Sequence, residues 1–299
     1  MLAEVVGGLA ANSLALLADA GHMVTDAVSI GLALLAIWVA TRPASARRTF
    51  GFQRTEVLAA LLNAISLVLI AVWIFFEAYR RFLQPSEVRG ILTLAVGIAG
   101  LLVNVGVAWV LKRSAERSLN VEGAFLHVLG DLLGSIGVVA AAILIVAFGW
   151  FIADPIFGLL IGVLVLLSSG RLLWKVLHVL MEGTPAGLDV RRICQRLEQV
   201  PGVIGVHDIH AWSVTKGYDV LSAHVGADPT TGEEATQLLQ RLRNVVAKEF
   251  GIAHVTIQLE RPSPDGCVES HHITHDADLA GYSREANGEV NEGRQNHGR

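Results

Sequence analysis

The sequence predicts an α-helical polytopic membrane bundle of six helices, the first of them cut short, joined to a soluble α/β domain resembling a ferredoxin-like fold. Three observations carry this. Apolar runs of roughly 20 residues, the length that spans a hydrocarbon core of about 30 Å, recur through the first 180 positions. At EGTPAG, residues 182–187, the composition changes to that of a soluble domain. Over the whole chain 53% of residues are hydrophobic and 17% charged, against about 25% charged in an average soluble chain.

The helices follow in order. Residues 1–17 are apolar but short of a full span, and Gly7, Gly8 and the pair Asn12–Ser13 predict a break near Asn12. The chain therefore reads as starting inside its first helix. A second helix is expected over 16–40, a third over 55–76, a fourth over 90–111, a fifth over 121–148 and a sixth over 155–177. The connections carry the charge. The stretches after the second and fourth helices hold Arg42, Arg47, Arg48, Arg54, Lys112, Arg113 and Arg117, whereas those after the third and fifth hold only Arg80, Arg81 and Arg89. The positive-inside rule places the first set, and the C-terminal part, in the cytoplasm.

Beyond residue 182 the pattern is α-β-β-α-β over about 80 residues. LDVRRICQRLEQV is an amphipathic helix. VIGVHDIHAWSV and YDVLSAHVGA are strands joined by a turn at Lys216–Gly217. GEEATQLLQRLRNVVAKEF is a second helix and AHVTIQLE a third strand. The organisation is thus a transmembrane domain over 1–181, a cytoplasmic ferredoxin-like domain over 182–261 and a polar, aperiodic tail over 262–299, read as disordered. No cleavable signal peptide is expected. Net charge is −4, which offers nothing to nucleic acid, and two cysteines, Cys194 and Cys267, make no disulfide framework.

Function is concentrated in ADAGHMVTDA, residues 18–27, a polar island in an apolar run. His22 and Asp26 are four residues apart and share one helix face. The spacing recurs in FLHVLGDLLGS as His127 and Asp131. An intramembrane carboxylate costs roughly 2.5–3.5 kcal/mol on insertion scales, so ordinary helix packing is a poor explanation for four such groups. Two imidazoles and two carboxylates form a four-ligand set suited to a tetrahedral divalent metal such as Zn2+. Asp19, three residues before His22, is read as an outer group or a helix cap. Ala18, Ala20 and Gly21, with Gly130, Gly134 and Ser135, allow the two helices a close approach.

SLALLADAGHMVTDA, RRTFGFQRTEVLAALLNA, NVEGAFLHVLGDLLGS, VHDIHAWSV and SAHV, in that order over residues 5–261, resemble the signatures of the cation diffusion facilitator family, in its zinc-transporting branch. The resemblance implies six transmembrane helices, a cytoplasmic C-terminal domain, a homodimer, and export of divalent metal from the cytosol in exchange for protons. It implies that His22, Asp26, His127 and Asp131 are the transport site, and a His opening each pair is the pattern associated with zinc. It also matches His207, His224 and Glu260 to a cytoplasmic regulatory metal site. The stretch after the fourth helix has no histidine, which favours a bacterial, plasma-membrane member.

On the sequence alone, His224 alternates with apolar Leu221, Ala223 and Val225, while His254, Thr256, Gln258 and Glu260 share a face. His207 and His210, three apart on a strand, are expected on opposite faces. In the tail, Cys267, His271, His272 and His275 have zinc-ligand chemistry at short spacing. Three other readings remain. A membrane metal sensor would bind metal without moving it. The same transporter could serve Cd2+, Co2+ or Fe2+. An intramembrane metalloprotease would want H-E-x-x-H, which is absent, and with no P-loop either, no enzyme is expected.

Overall fold

The computed structural model describes residues 1–115, 119–228 and 231–261, with the backbone alone for 113–115, 119–124, 126 and 127. Two compact units meet between Leu177 and His178. The first contains α1 (Leu2–Ala11), α2 (Leu14–Ala40), α3 (Thr55–Leu83), α4 (Gly90–Ala115), α5 (Leu119–Phe148) and most of α6 (Ala153–Leu180). Five of these helices, α2 to α6, are long and apolar enough to cross a membrane; α1 has ten residues.

The break expected near Asn12 is present. Asn12 takes a left-handed conformation (φ 55°) and ends α1, and Ser13 caps α2 by accepting from the Leu16 amide at 3.2 Å. The next partner is distant in sequence. Asp154, fully buried at the start of α6, accepts from Ser13 Oγ at 2.5 Å, the Leu14 amide at 2.6 Å and the Ala15 amide at 3.3 Å. The orphan amides of α2 are thereby satisfied where no water reaches them. Arg81 Nη1 donates to Asp154 Oδ2 at 3.2 Å and to the Asn12 carbonyl at 2.7 Å. Four helices are tied at this one end.

Arg81 corrects one expectation. The third helix does not stop at Phe76 but continues to Leu83. The apolar run ends at Glu77, yet Glu77 and Arg81, one turn apart, pair at 3.0 Å and carry the helix on. Arg81 is therefore a buried structural cation rather than a loop charge.

Small residues set the helix spacing. A Cβ added at Gly158 would stand 3.0 Å from Leu14 Cγ, and one at Gly162 3.0 Å from Ile74 Cγ2, so α6 lies close against α2 and α3. Ala15, Ala18, Ala71, Val138, Ala141 and Val165 fill the interior. Large apolar side chains cover the outside, as a lipid-facing surface requires. Trp38, Trp109 and Trp174 are exposed near the C-terminal ends of α2, α4 and α6, and Arg42 stacks over Trp38 at 4.7 Å. Tryptophans mark either membrane interface, and Trp150 is exposed at the other end; it is the arginine bias that agrees with a cytoplasmic placement of this one.

The second unit contains α7 (Val190–Glu198), β1 (Val203–Thr215), β2 (Tyr218–Ala227), α8 (Gly232–Phe250) and β3 (His254–Glu260). Thr215 pairs with Tyr218 across Lys216–Gly217, and Gly217 supplies the positive φ (78°) that the two-residue turn needs. β2 and β3 are parallel, joined through α8, in the sheet order β1-β2-β3. Ile193 and Leu197 of α7, with Leu238, Leu242 and Val246 of α8, bury Leu221, Ala223, Val225 and Ile257. Arg196 joins the two helices by hydrogen bonds to Glu249 at 2.8 and 2.6 Å, and these hold the Glu249 carboxyl below its ordinary range.

Replacing Asp154 by Ala uncaps α2, strands the Ser13 hydroxyl and takes from Arg81 one of its two carboxylate partners, leaving it Glu77 and Asn12. A melt in detergent should show a loss of about 3–5 kcal/mol, with Asp154→Asn milder because it keeps an acceptor for Ser13 and the amides; a melting temperature equal to the parent's contradicts the junction's role.

Candidate metal centre

α2 and α5 bring three of the four motif residues together. His22 Nε2 lies 3.4 Å from Asp26 Oδ2 and 3.5 Å from Asp131 Oδ1, and one ligand atom from each residue falls within 4.8 Å of the others. The side chains are 17%, 23% and 13% exposed, so the cluster is largely withdrawn from bulk solvent. His127 stands on α5 one helical turn before Asp131; its side chain lies outside the described residues. One imidazole and two carboxylates offer three ligands of borderline and hard character, suited to a divalent ion.

Asp19 is not part of this group, and it is not a cap, since α2 begins a full turn earlier. It is buried at 3% exposure and accepts from Ser135 Oγ at 3.2 Å. Ser135 in turn accepts from Asn104 Nδ2 at 2.9 Å. This chain crosses from α4 through α5 to α2 one turn from the cluster and locks the two ligand-bearing helices in register. Gly134 makes room for it: a Cβ there would stand 2.6 Å from Asp19 Oδ1. A cavity of about 430 Å3 adjoins the cluster, with Asp19, His22, Asp26, Asn63, Asp131 and Ser168 among its lining residues.

The second unit carries its own group on the sheet face opposite its helices. His207 Nε2 lies 3.1 Å from Glu260 Oε2, and His224 Nδ1 lies 2.7 Å from Glu260 Oε1. His207 and His224 are direct cross-strand partners in β1 and β2, and β3 delivers Glu260 beside Gly226. These three form the other cluster with metal-ligand geometry among the described residues.

The expectation that His207 and His210 point to opposite faces is wrong. His207 pairs with His224 and His210 with Ser222, so three residue steps on β1 match two on β2. This is a β-bulge, and Asp208 occupies it with φ 49°. The extra residue returns His210 to the face of His207. It also turns Asp208 toward the group: Asp208 Oδ1 is 2.9 Å from His210 Nε2 and Oδ2 is 3.8 Å from His224 Nε2. Sequence reasoning missed Asp208, because strict alternation hides a bulge; only the acid's tolerance of left-handed backbone hinted at it. His254 is exposed beside Tyr218, apart from the cluster. Cys194 is half-buried near Glu198, and burial pushes its thiol up to about 11, so it stays protonated and poorly reactive at neutral pH. Cys267, His271, His272 and His275 lie outside the described residues.

Apolar spans around a polar cluster, followed by a soluble unit with a second cluster, define a multi-pass membrane protein that handles metal ions. The cation efflux transmembrane domain matches residues 1–181, and the cytoplasmic domain of cation efflux proteins matches residues 185–262. The chain belongs to the cation efflux family, the cation diffusion facilitators. It is 44% identical over 263 residues to the cadmium, cobalt and zinc/H(+)-K(+) antiporter of Bacillus velezensis, an alignment covering 87% of this chain and 84% of that one. It is 45% identical over 262 residues to the zinc transporter ZitB of Escherichia coli, covering 87% and 83%. With the metal cation efflux system protein CzcD of Cupriavidus metallidurans it shares 40% identity over 281 residues, covering 94% and 89%.

Removing a ligand should cost more than removing an outer partner. Calorimetric zinc titration of Asp131→Ala should show a far larger loss at the membrane cluster than Ser135→Ala, whose hydroxyl reaches only Asp19 and Asn104; equal effects of the two variants would contradict the assignment of Asp131 as a ligand.

Proposed function

We infer that this protein is a divalent metal efflux transporter that carries Zn2+ out of the cytoplasm in exchange for protons. One observation carries the reading. An imidazole and two carboxylates from two membrane-length helices converge beside a cavity, at a depth where isolated charges are costly. A mobile cation compensates both carboxylates while it is bound, and protons can do so after it leaves. The names of the relatives support the substrate class and the counter-ion: zinc alone for one, and cadmium, cobalt and zinc against H+ and K+ for another.

In this reading Zn2+ arrives from the cytoplasm and binds His22, Asp26 and Asp131, with His127 as the fourth ligand. His22 must be neutral to bind. The helices then rearrange to expose the site on the far side, where protons compete for imidazole and carboxylate and release the ion. Asp26 and Asp131 serve as ligands, and no residue is assigned a catalytic step. The His–Asp set favours zinc over the harder divalent ions. The protein works as a homodimer in a bacterial plasma membrane. Zinc on His207, His224 and Glu260 reports cytoplasmic metal to the transporting part.

Zinc uptake into proteoliposomes with an imposed pH gradient tests this. Parent protein should transport, and Asp26→Ala and Asp131→Ala should not. Competition fixes the sign of the pH effect: acidifying the binding side should raise the apparent KM for zinc, because protons occupy the ligands that the ion needs. Undiminished flux in both variants would sink the site, zinc binding without flux in the parent would make the protein a sensor, and a preference for Cd2+, Co2+ or Fe2+ in the same assay would reassign the ion.

A further inference from the structure

α3 contributes one polar side chain to the cavity beside the metal cluster, Asn63. Its Oδ1 is buried and has no hydrogen-bond partner among the described residues. A buried acceptor left unsatisfied is unfavourable, and a fully apolar side chain would avoid the problem. Leu67, one turn away on the same helix, and Leu164, Val165 and Leu172 of α6 supply apolar lining, and the polar side chains that line the same cavity make no hydrogen bond to its Oδ1. The partner for this oxygen must therefore come from inside the cavity. At about 430 Å3 the space is far larger than the roughly 10–15 Å3 that one water needs.

The position of Asn63 narrows what that partner is. Asp19 and Gly134 line the cavity at the cluster, while Asn63 and, on α6, Ser168 and Leu172 line it toward the ends of α3 and α6 that the charge pattern places at the cytoplasm. A cation arriving from that side passes Asn63 before Asp26 and Asp131. It still carries water molecules, whose polarised O–H groups seek acceptors. A carboxamide oxygen accepts from such a water, or meets the ion itself, without adding charge and without titrating. It can discriminate between ions while leaving proton exchange to the imidazoles and carboxylates.

We propose that Asn63 is a specificity-determining residue for the transported cation, its Oδ1 receiving the partly hydrated ion on the cytoplasmic side of the His22–Asp26–Asp131 cluster. This rests on the transport reading of that cluster. It makes α3 a third contributor to ion handling, beside the two helices that hold the ligands. An oxygen of neutral charge favours a strongly polarising ion that keeps few waters; a charged oxygen there would favour ions that prefer an all-oxygen shell.

The test is uptake of Zn2+ and of Mn2+ by the full-length protein in proteoliposomes, comparing the parent with Asn63→Ala, Asn63→Asp and Asp26→Ala. Asn63→Ala should raise the KM for zinc roughly tenfold, the effect of losing one hydrogen bond to a charged partner. Asn63→Asp, nearly isosteric, should lower the zinc-to-manganese ratio of kcat/KM several-fold. A residue that only packed would slow both ions alike and leave the ratio untouched. A parent-like zinc KM in Asn63→Ala, or an unchanged ratio in Asn63→Asp, overturns the assignment. Should Asn63→Ala fold poorly, the Asn63→Asp ratio still decides. Asp26→Ala separates the two levels: parent-like transport in that variant removes the transport-site reading itself, whereas its loss together with parent-like Asn63 variants removes only this inference.

Discussion

An ionisable side chain inside a lipid-spanning bundle must have a partner, and this chain meets that constraint in two opposite ways. Asp154 is paired for good. Arg81, the Ser13 hydroxyl and two backbone amides surround it, and the result is a fixed joint between helices. Asp26 and Asp131 stand 3.4 and 3.5 Å from the His22 imidazole, in a group whose ligand atoms lie close enough together for one cation to bridge them. Removing a partner from a buried pair strands the other charge, so the first arrangement favours permanence. The second favours exchange between a cation and protons. Fold and function divide along that difference.

The Asp19–Ser135–Asn104 chain links the two. It is fully formed and neutral on two of its three members, and it sits one turn from the exchanging group. A transported ion requires ligands that hold their geometry while their occupant changes. A hydrogen-bonded chain across α4, α5 and α2 gives the ligand-bearing helices a common register without adding a competing ligand. In the soluble unit, a β-bulge does comparable work. One extra residue in β1 places Asp208 and His210 on the face of His207 and His224, so that face of the sheet gathers three imidazoles and two carboxylates.

Much of this was legible in the sequence, for identifiable reasons. Apolar runs of membrane length have few alternative explanations, and the α-β-β-α-β order follows from helix and strand periods that do not overlap. The H-x-x-x-D repeat announced itself because polar residues are rare in such helices. What escaped had the same physical origin throughout: it depended on contacts distant in sequence. Nothing near Arg81 says that it pairs with a residue 73 positions away, so it read as a loop charge. Nothing near Asp208 says that β2 will be one residue shorter across the hairpin. The oxygen of Asn63 became notable only once α6 supplied the other wall of its cavity.

The central claim is that His22, Asp26 and Asp131, with His127, bind the transported ion directly. Zinc K-edge X-ray absorption on the zinc-loaded full-length Glu260→Ala protein, in which the His207–His224–Glu260 group lacks its carboxylate, tests it most directly. The predicted result is a four-coordinate shell of nitrogen and oxygen at about 2.0–2.2 Å, with imidazole scattering, that disappears in the Asp131→Ala double variant. A shell that persists unchanged in the double variant, or one containing sulfur at about 2.3 Å, would contradict it.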